Sequence, residues 1–291
     1  MLVHALLGGV IYGCYFTLIG LGLNLVFGVM RIVNLAHGDV LMLGAFAAFF
    51  LFHLVGLSPF IAAPVVMVGF FLLGLPFYYL VVPRLALAKD AEMLSLILFF
   101  GIQQIIEALA AIVFGSSERS IPGRVLGVGP FHFLGQTLSR AWVIGAAIAA
   151  GAVIVLYLYL YHTRSGLLTR AVMASRDEAL ASGIDIHRIS ARAFAIGLAL
   201  AGLAGVFAPF MLGSVTPAMG VSVNLAAFAV IIVGSLGNPL GTVAGGLIYG
   251  VGLLLMQTYF SAWADLLPNL LLIGVLLARP TGLLGRRVRL A

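Results

Sequence analysis

The chain is built from apolar runs long enough to cross a lipid bilayer. The first, from about Ala5 to Met30, contains no Asp, Glu, Lys, Arg or His. A spanning helix needs about 20 such residues, because each adds about 1.5 Å of rise against a hydrocarbon core of about 30 Å. Barrel strands would be short and would alternate lipid-facing with lumen-facing residues. These runs are long and unbroken, so helices are implied. Of the 291 residues, 63% are hydrophobic and 8% charged, against roughly 25% charged in a soluble domain. Such a chain has too little polar surface to coat a water-soluble fold. The expected fold is all-α, a polytopic transmembrane helical bundle of about 8–9 crossings with broken or re-entrant half-helices. All of it, 1–291, reads as one transmembrane domain.

Further runs cover about Val40 to Val55, Ser58-Pro59 to Val82, Met93 to Phe114, Ala141 to Tyr161, Ala193 to Leu212, a Gly/Pro-broken region from Val221 to Phe260, and Leu266 to Leu277. The first run continues to Met30 without a basic leader, so it reads as a retained span rather than a cleaved signal. The net charge of +6 could suggest nucleic-acid binding. In a membrane chain it reads instead as the excess of Lys and Arg in cytoplasmic loops, and no nucleic-acid partner is expected. Cys14, the one cysteine, has no partner for an internal disulfide or a metal site.

Basic residues set the orientation. Arg164, Arg170, Arg176, Arg188 and Arg192 crowd the 163–192 segment, and Arg279, Arg286, Arg287 and Arg289 the tail. Both should be cytoplasmic, which places the N-terminus outside. The outer loop, Gly115 to Arg140, departs from the rule by carrying Arg119, Arg124 and Arg140. Two cytoplasmic ends also require an even number of crossings between Arg192 and Arg279, where hydropathy shows three obvious runs. A break must lie within Val221 to Phe260. Gly234-Ser-Leu-Gly237-Asn238-Pro239-Leu-Gly241 is the natural place, since Pro and clustered Gly interrupt helices. Two short spans or a re-entrant half-helix both satisfy the pattern.

Ser175-Arg176-Asp177-Glu178 has the spacing of a capping box. Asp177 and Glu178 suit the positive end of the helix dipole, and Gly183 is placed to close the helix in a left-handed cap. The spacing predicts a two-turn helix over Arg176 to Ser182 outside the membrane. Leu168, Val172, Ala179 and Leu180 would form its apolar stripe and that of the preceding segment. Such an element either docks in a groove on a soluble partner or rests on the bilayer surface.

Two segments interrupt the apolar pattern in a matched way. Asn34-Leu-Ala-His37-Gly38-Asp39 leads into one apolar helix and Gly237-Asn238-Pro239-Leu-Gly241 into another. Irregular backbone at membrane depth is tolerated only where it is buried in protein or lines a cavity. A pair of interrupted segments, one in each half, points to a transport pathway built from pseudo-repeats; two interfacial turns are the plainer reading. Asn24, Gln103, Gln104, Glu107 and Asn224 are the polar groups within apolar runs. They serve either interhelical hydrogen bonds or a pore. His37 and Asp39 lack a third ligand for a metal. Gly9 and Gly13, with Gly241, Gly245, Gly246 and Gly250, mark close helix packing within the chain or to a second subunit. No phosphate-binding loop, no nucleophile with a matching base and no zinc-protease motif occurs. The chain is therefore not expected to be an enzyme or to hold a cofactor, and an ATP motor would be a separate polypeptide.

Several of these motifs resemble one family. Gly22-Leu-Asn24-Leu-Val-Phe-Gly28 followed by Asn34 to Asp39 is similar to the N-terminal signature of permease subunits of branched-chain amino acid ABC importers. Arg170-Ala171, Asp177-Glu178-Ala179 and Gly183-Ile184-Asp185 resemble the family's cytoplasmic loop, and Ala201-Gly202-Leu-Ala204-Gly205 and Gly234 to Gly246 fit it in order. The short N-terminus resembles the smaller of its two paired permeases. The resemblance implies a bacterial inner-membrane importer with a second permease subunit in a heterodimer, two cytoplasmic ABC ATPases and an extracytoplasmic substrate-binding protein. It implies that Arg170, Ser175, Arg176, Asp177, Glu178 and Gly183 belong to the coupling segment that docks on the ATPase. Asn34, His37, Gly38, Asp39, Gln103, Glu107, Gly237, Asn238 and Gly241 are the candidates for the pathway and its broken helices. Permeases for urea or short amides are close relatives of the pattern, and a self-sufficient secondary transporter is the alternative of a different class.

Overall fold

The computed structural model describes residues 1–85 and 90–285. Five helices come first: α1 (Leu2–Met30), α2 (His37–Val55), α3 (Pro59–Leu85), α4 (Ala91–Phe114) and α5 (Arg140–His162). Two short ones follow, α6 (Arg164–Ala174) and α7 (Arg176–Ala181). The chain closes with α8 (Ile186–Met211), α9 (Met219–Gly234), α10 (Pro239–Tyr259) and α11 (Leu267–Ala278). The bundle is all-α apart from one hairpin in the polar stretch after α4, where β1 (Pro130–Phe133) pairs antiparallel with β2 (Gln136–Ser139). Leu134 and Gly135 turn it, both at positive φ, as a two-residue hairpin turn requires. The sequence reading left this stretch irregular.

Among the described residues, eight helical segments are long and apolar enough to cross a membrane, the last being Ser261–Ala278. The ninth apolar helix, α9, has 16 residues, about 24 Å of rise. The expected break lies at Ser235 to Asn238. It divides the apolar region into two full helices that pack antiparallel, Gly234 against Gly241 and Val230 against Gly245, rather than into a re-entrant loop. Four helices then lie between the Arg-rich 163–192 segment and Arg279.

Helix α8 is the axis. Its span is 94% buried, and α1, α2, α3 and α5 all pack on it. Its first residues sit under a cap in which the Asp185 carboxylate accepts from Arg188 N–H at 3.0 Å. Ala195, Gly197, Ala201, Gly202, Ala204 and Gly205 then let neighbouring backbones approach closely. Helix α1 packs along α10 through the predicted glycines. A Cβ on Gly9 would stand 2.6 Å from Val251 Cα, and one on Gly13 2.8 Å from Leu247 Cα. That seam is internal to the chain. Helix α4 and the last span, each 17% buried, form the outer face.

Candidate functional site

Each break begins with a residue other than glycine in the left-handed region. At the first, Arg31 follows the end of α1 with φ 57°; at the second, Ser235 follows α9 with φ 119°. An L-residue with a Cβ is disfavoured there, so tertiary contacts must hold both turns.

After Arg31 the chain re-enters the bundle. His37 Nε2 lies 3.1 Å from the Ile19 carbonyl, three turns or about 16 Å of helix back from Met30. Helix α2 therefore starts within the protein rather than at its rim. The Asn34 side-chain oxygen accepts from Ala36 N–H at 3.1 Å. At the second break Asn238 does the matching work, accepting from Leu240 N–H at 3.1 Å and Gly241 N–H at 3.2 Å, while Gly237 turns the chain at φ 74°.

Each break is fastened by an asparagine from the other half. Asn224, on α9, donates to the Leu35 carbonyl at 2.7 Å. Asn24, on α1, accepts from Gly237 N–H at 2.6 Å and donates to Thr242 Oγ1 at 2.5 Å. Both asparagines are buried. These bonds satisfy part-buried backbone groups at both breaks that would otherwise lack a partner within the protein.

The first turns of α2 and α9 touch. A Cβ on Gly38 would stand 2.8 Å from Asn224 Cβ and would overlap the Gly220 carbonyl, while Gly220 lies directly against the Asp39 carboxylate. Asp39 is fully buried. Among the described residues, neither of its oxygens has a hydrogen-bond partner, nor do Asn224 Oδ1 and His37 Nδ1. His37 and Asp39 do not converge: the imidazole turns to α1 and the carboxylate to α9. On α4, Gln103 is buried, Glu107 half-buried and Gln104 exposed. Gln103 and Glu107 thus share the face toward α2 and α3, apart from the second break, and Gln104 leaves it.

The 163–192 segment folds as two helices. Thr163 caps α6 by accepting from Gly166 N–H at 3.0 Å. Ser175 caps α7 by accepting from Glu178 N–H at 3.4 Å. The reciprocal half of the expected box does not form, because Ser175 N–H already donates to the Ala171 carbonyl at 3.1 Å. Gly183, at φ 78°, closes α7: its N–H donates to the Leu180 carbonyl at 2.9 Å, and Ile184 N–H to the Ala179 carbonyl at 3.1 Å. The expected apolar stripe divides. Val172 and Ala179 pack inward, whereas Leu168 and Leu180 are exposed together with Asp177 and Glu178. Arg170 is used within the chain, donating from Nε to the Leu160 carbonyl at 2.9 Å and lying 4.5 Å from the Tyr161 ring centre.

This segment abuts the second break. A Cβ on Gly28 would stand 2.5 Å from Met173 Cε and 3.2 Å from Gly237 Cα. A cavity of about 410 Å³ lies between Arg170 and Met173 on one side and Ser235 to Pro239 on the other. Sequence reasoning singled out both segments and both buried asparagines. It missed Met173, Thr242 and the pairing of each asparagine with the opposite break, which no local pattern encodes.

Comparison with known proteins gives this geometry a family. The chain is 28% identical over 297 residues to the high-affinity branched-chain amino acid transport system permease protein LivH of Escherichia coli K12, covering 96% of this chain and 94% of the relative. It is 30% identical over 293 residues to the probable branched-chain amino acid transport permease protein LivH of Methanocaldococcus jannaschii, covering 96% and 91%. It is 28% identical over 291 residues to the permease protein BraD of Pseudomonas aeruginosa, covering 97% and 95%. No solved structure matches it. The family described as branched-chain amino acid transport system / permease component matches residues 5–276, and the chain, a multi-pass membrane protein of interlocked broken helices, belongs to that family.

Proposed function

We propose that the chain is the membrane-spanning permease subunit of an ATP-powered importer that carries branched-chain or related amino acids. In this reading residues 1–291 form one permease domain, paired with a second permease subunit. Two ATPases act on the Arg-rich face, and a binding protein delivers substrate to the hairpin face. The N-terminus is then outside and the C-terminus cytoplasmic.

The observation that carries the reading is the packing of the 163–192 segment on Gly28 of α1, which bears on the second break. Helix α7 presents the exposed Asp177, Glu178 and Leu180, while Met173 of α6 rests on Gly28 of α1, which in turn packs on Gly237. A motor that moves α7 reaches, through α6, the turn at which α9 and α10 part. The motor must bind one state of the pore better than the other to bias it. The deciding experiment is uptake of labelled leucine by proteoliposomes holding both permeases and the ATPases, with binding protein outside and ATP inside. Uptake that requires ATP and stops when α7 is replaced by a Gly-Ser linker is expected. ATP-independent uptake driven by an ion gradient would mark a secondary transporter instead, and binding-protein selectivity for a short amide would move the substrate class.

A further inference from the structure

A second cavity, of about 220 Å³, lies where α7 meets the Arg-rich ends of α1, α3 and α8. Three of its lining residues carry hydrogen-bond donors: Arg176, the first residue of α7, His187 at the start of α8, and Tyr78 of α3. The Tyr78 hydroxyl lies 3.3 Å from His187 Nδ1. With Tyr78 donating there, the His187 proton sits on Nε2. The ion pair among the described residues joins Arg188 to Asp185, and none of the described carboxylates comes within 4.0 Å of the Arg176 guanidinium. Among the described residues, none that lines the cavity is a carboxylate. Its other walls are apolar: Met30, Ile32 and Val82 face the donors.

A guanidinium and an imidazole opposite aliphatic walls fit an amphiphilic anion. Planar guanidinium pairs best with carboxylate or phosphate, and the walls require an apolar body attached to it. The volume falls below the roughly 300–1,000 Å³ of pockets for drug-sized ligands, so the occupant is no larger than a single small metabolite. A lipid headgroup would bring the phosphate but not a compact aliphatic body.

We propose that this cavity is a regulatory site for a small aliphatic carboxylate that carries no amino group, a short-chain or 2-oxo acid, entering from the Arg-rich face. The proposal rests on the import reading above. A carboxylate held by Arg176 and His187, with its side chain on Met30, Ile32 and Val82, ties α7 to three helices of the bundle. A ligand favouring that tied state opposes any motion that carries α7 with the motor, so uptake slows as the acid accumulates on the Arg-rich face.

The test uses proteoliposomes of the full complex with ATP inside, preloaded with L-leucine, 4-methylpentanoate, 3-methylbutylamine or inorganic phosphate. Initial valine uptake and ATP turnover are both read. 4-Methylpentanoate should lower both; leucine, whose ammonium would lie against the Arg176 guanidinium, and the amine, which lacks the carboxylate, should not. His187→Gln and Ala91→Phe, the second filling the cavity from the start of α4, should leave uptake into empty vesicles intact. His187→Gln should raise the half-inhibiting concentration about tenfold, the loss expected for one charge-assisted contact, and Ala91→Phe, which takes up the cavity itself, by at least as much. Three results overturn the proposal: no inhibition of the native complex, inhibition that both variants retain, or inhibition by phosphate equal to that by 4-methylpentanoate. Calorimetry of 4-methylpentanoate on the detergent-purified complex reads the site without transport. Failure of uptake into empty vesicles with binding intact strikes the import reading alone, and absent binding strikes this one.

Discussion

Asn24 contributes both an acceptor and a donor to the second break, so its removal breaks two bonds at once. Asn24→Ala should leave Gly237 N–H without its acceptor, while Thr242 Oγ1 loses one donor and keeps its bond to the Asn238 carbonyl, at about 1–3 kcal/mol for the unsatisfied donor. A lowered unfolding temperature in detergent and reduced uptake check this, with Asn24→Asp, which keeps the acceptor for Gly237, falling between the two. Asp39 gives the opposite expectation. Its carboxylate is buried against Gly220 with neither oxygen paired, an arrangement that is costly when the group is ionised. Asp39→Asn, nearly isosteric, should match or exceed the native unfolding temperature; a fall of several degrees would show that the carboxylate has a stabilising partner. The polarity of these positions is plain in the sequence, because Asn and Asp within or beside apolar runs are rare. Their partners are not, because the contacts join residues 189 to 218 positions apart.

Helix α7 and the two breaks show what local pattern can specify. Ser175 and Gly183 bound α7 within one residue of the expected Arg176 to Ser182 because caps are local chemistry. Gly, Pro and Asn marked the Ser235 to Asn238 break for the same reason. Local pattern did not specify where α2 begins. The apolar run starts at Val40, yet the helix starts at His37, deep beside Ile19, because burial there is set by α1, α8 and α9. The hairpin at Pro130 to Ser139 was also hidden, since its four-residue strands are too short for alternation to register. Gly183 offers the element-scale prediction. No neighbouring atom comes within 4 Å of its would-be Cβ, so Gly183→Val acts through φ alone, at about 1–2 kcal/mol. The bundle should unfold at an unchanged temperature while α7 frays and ATPase binding weakens, as a pull-down with the purified motor would show.

At the scale of the whole molecule, the halves before and after the 163–192 segment are cross-fastened. The outer helices α4 and α11 contribute little to that core, which runs through α1, α2, α8, α9 and α10. Expressed as two separate polypeptides split at Ser182-Gly183, the halves should each be degraded alone and should persist when produced together. Survival of either half by itself, measured by pulse-chase, would contradict the cross-fastening. The asparagine pairs also set a schedule for synthesis. The Leu35 carbonyl and the Asn24 side chain enter the membrane early, but their partners at Asn224, Gly237 and Thr242 do not yet exist. At roughly 5–20 residues per second, the ribosome needs about ten to forty seconds to make them. During that interval the nascent chain holds open polar groups in lipid, which makes it a client for whatever shelters half-built membrane proteins and a target for whatever destroys them.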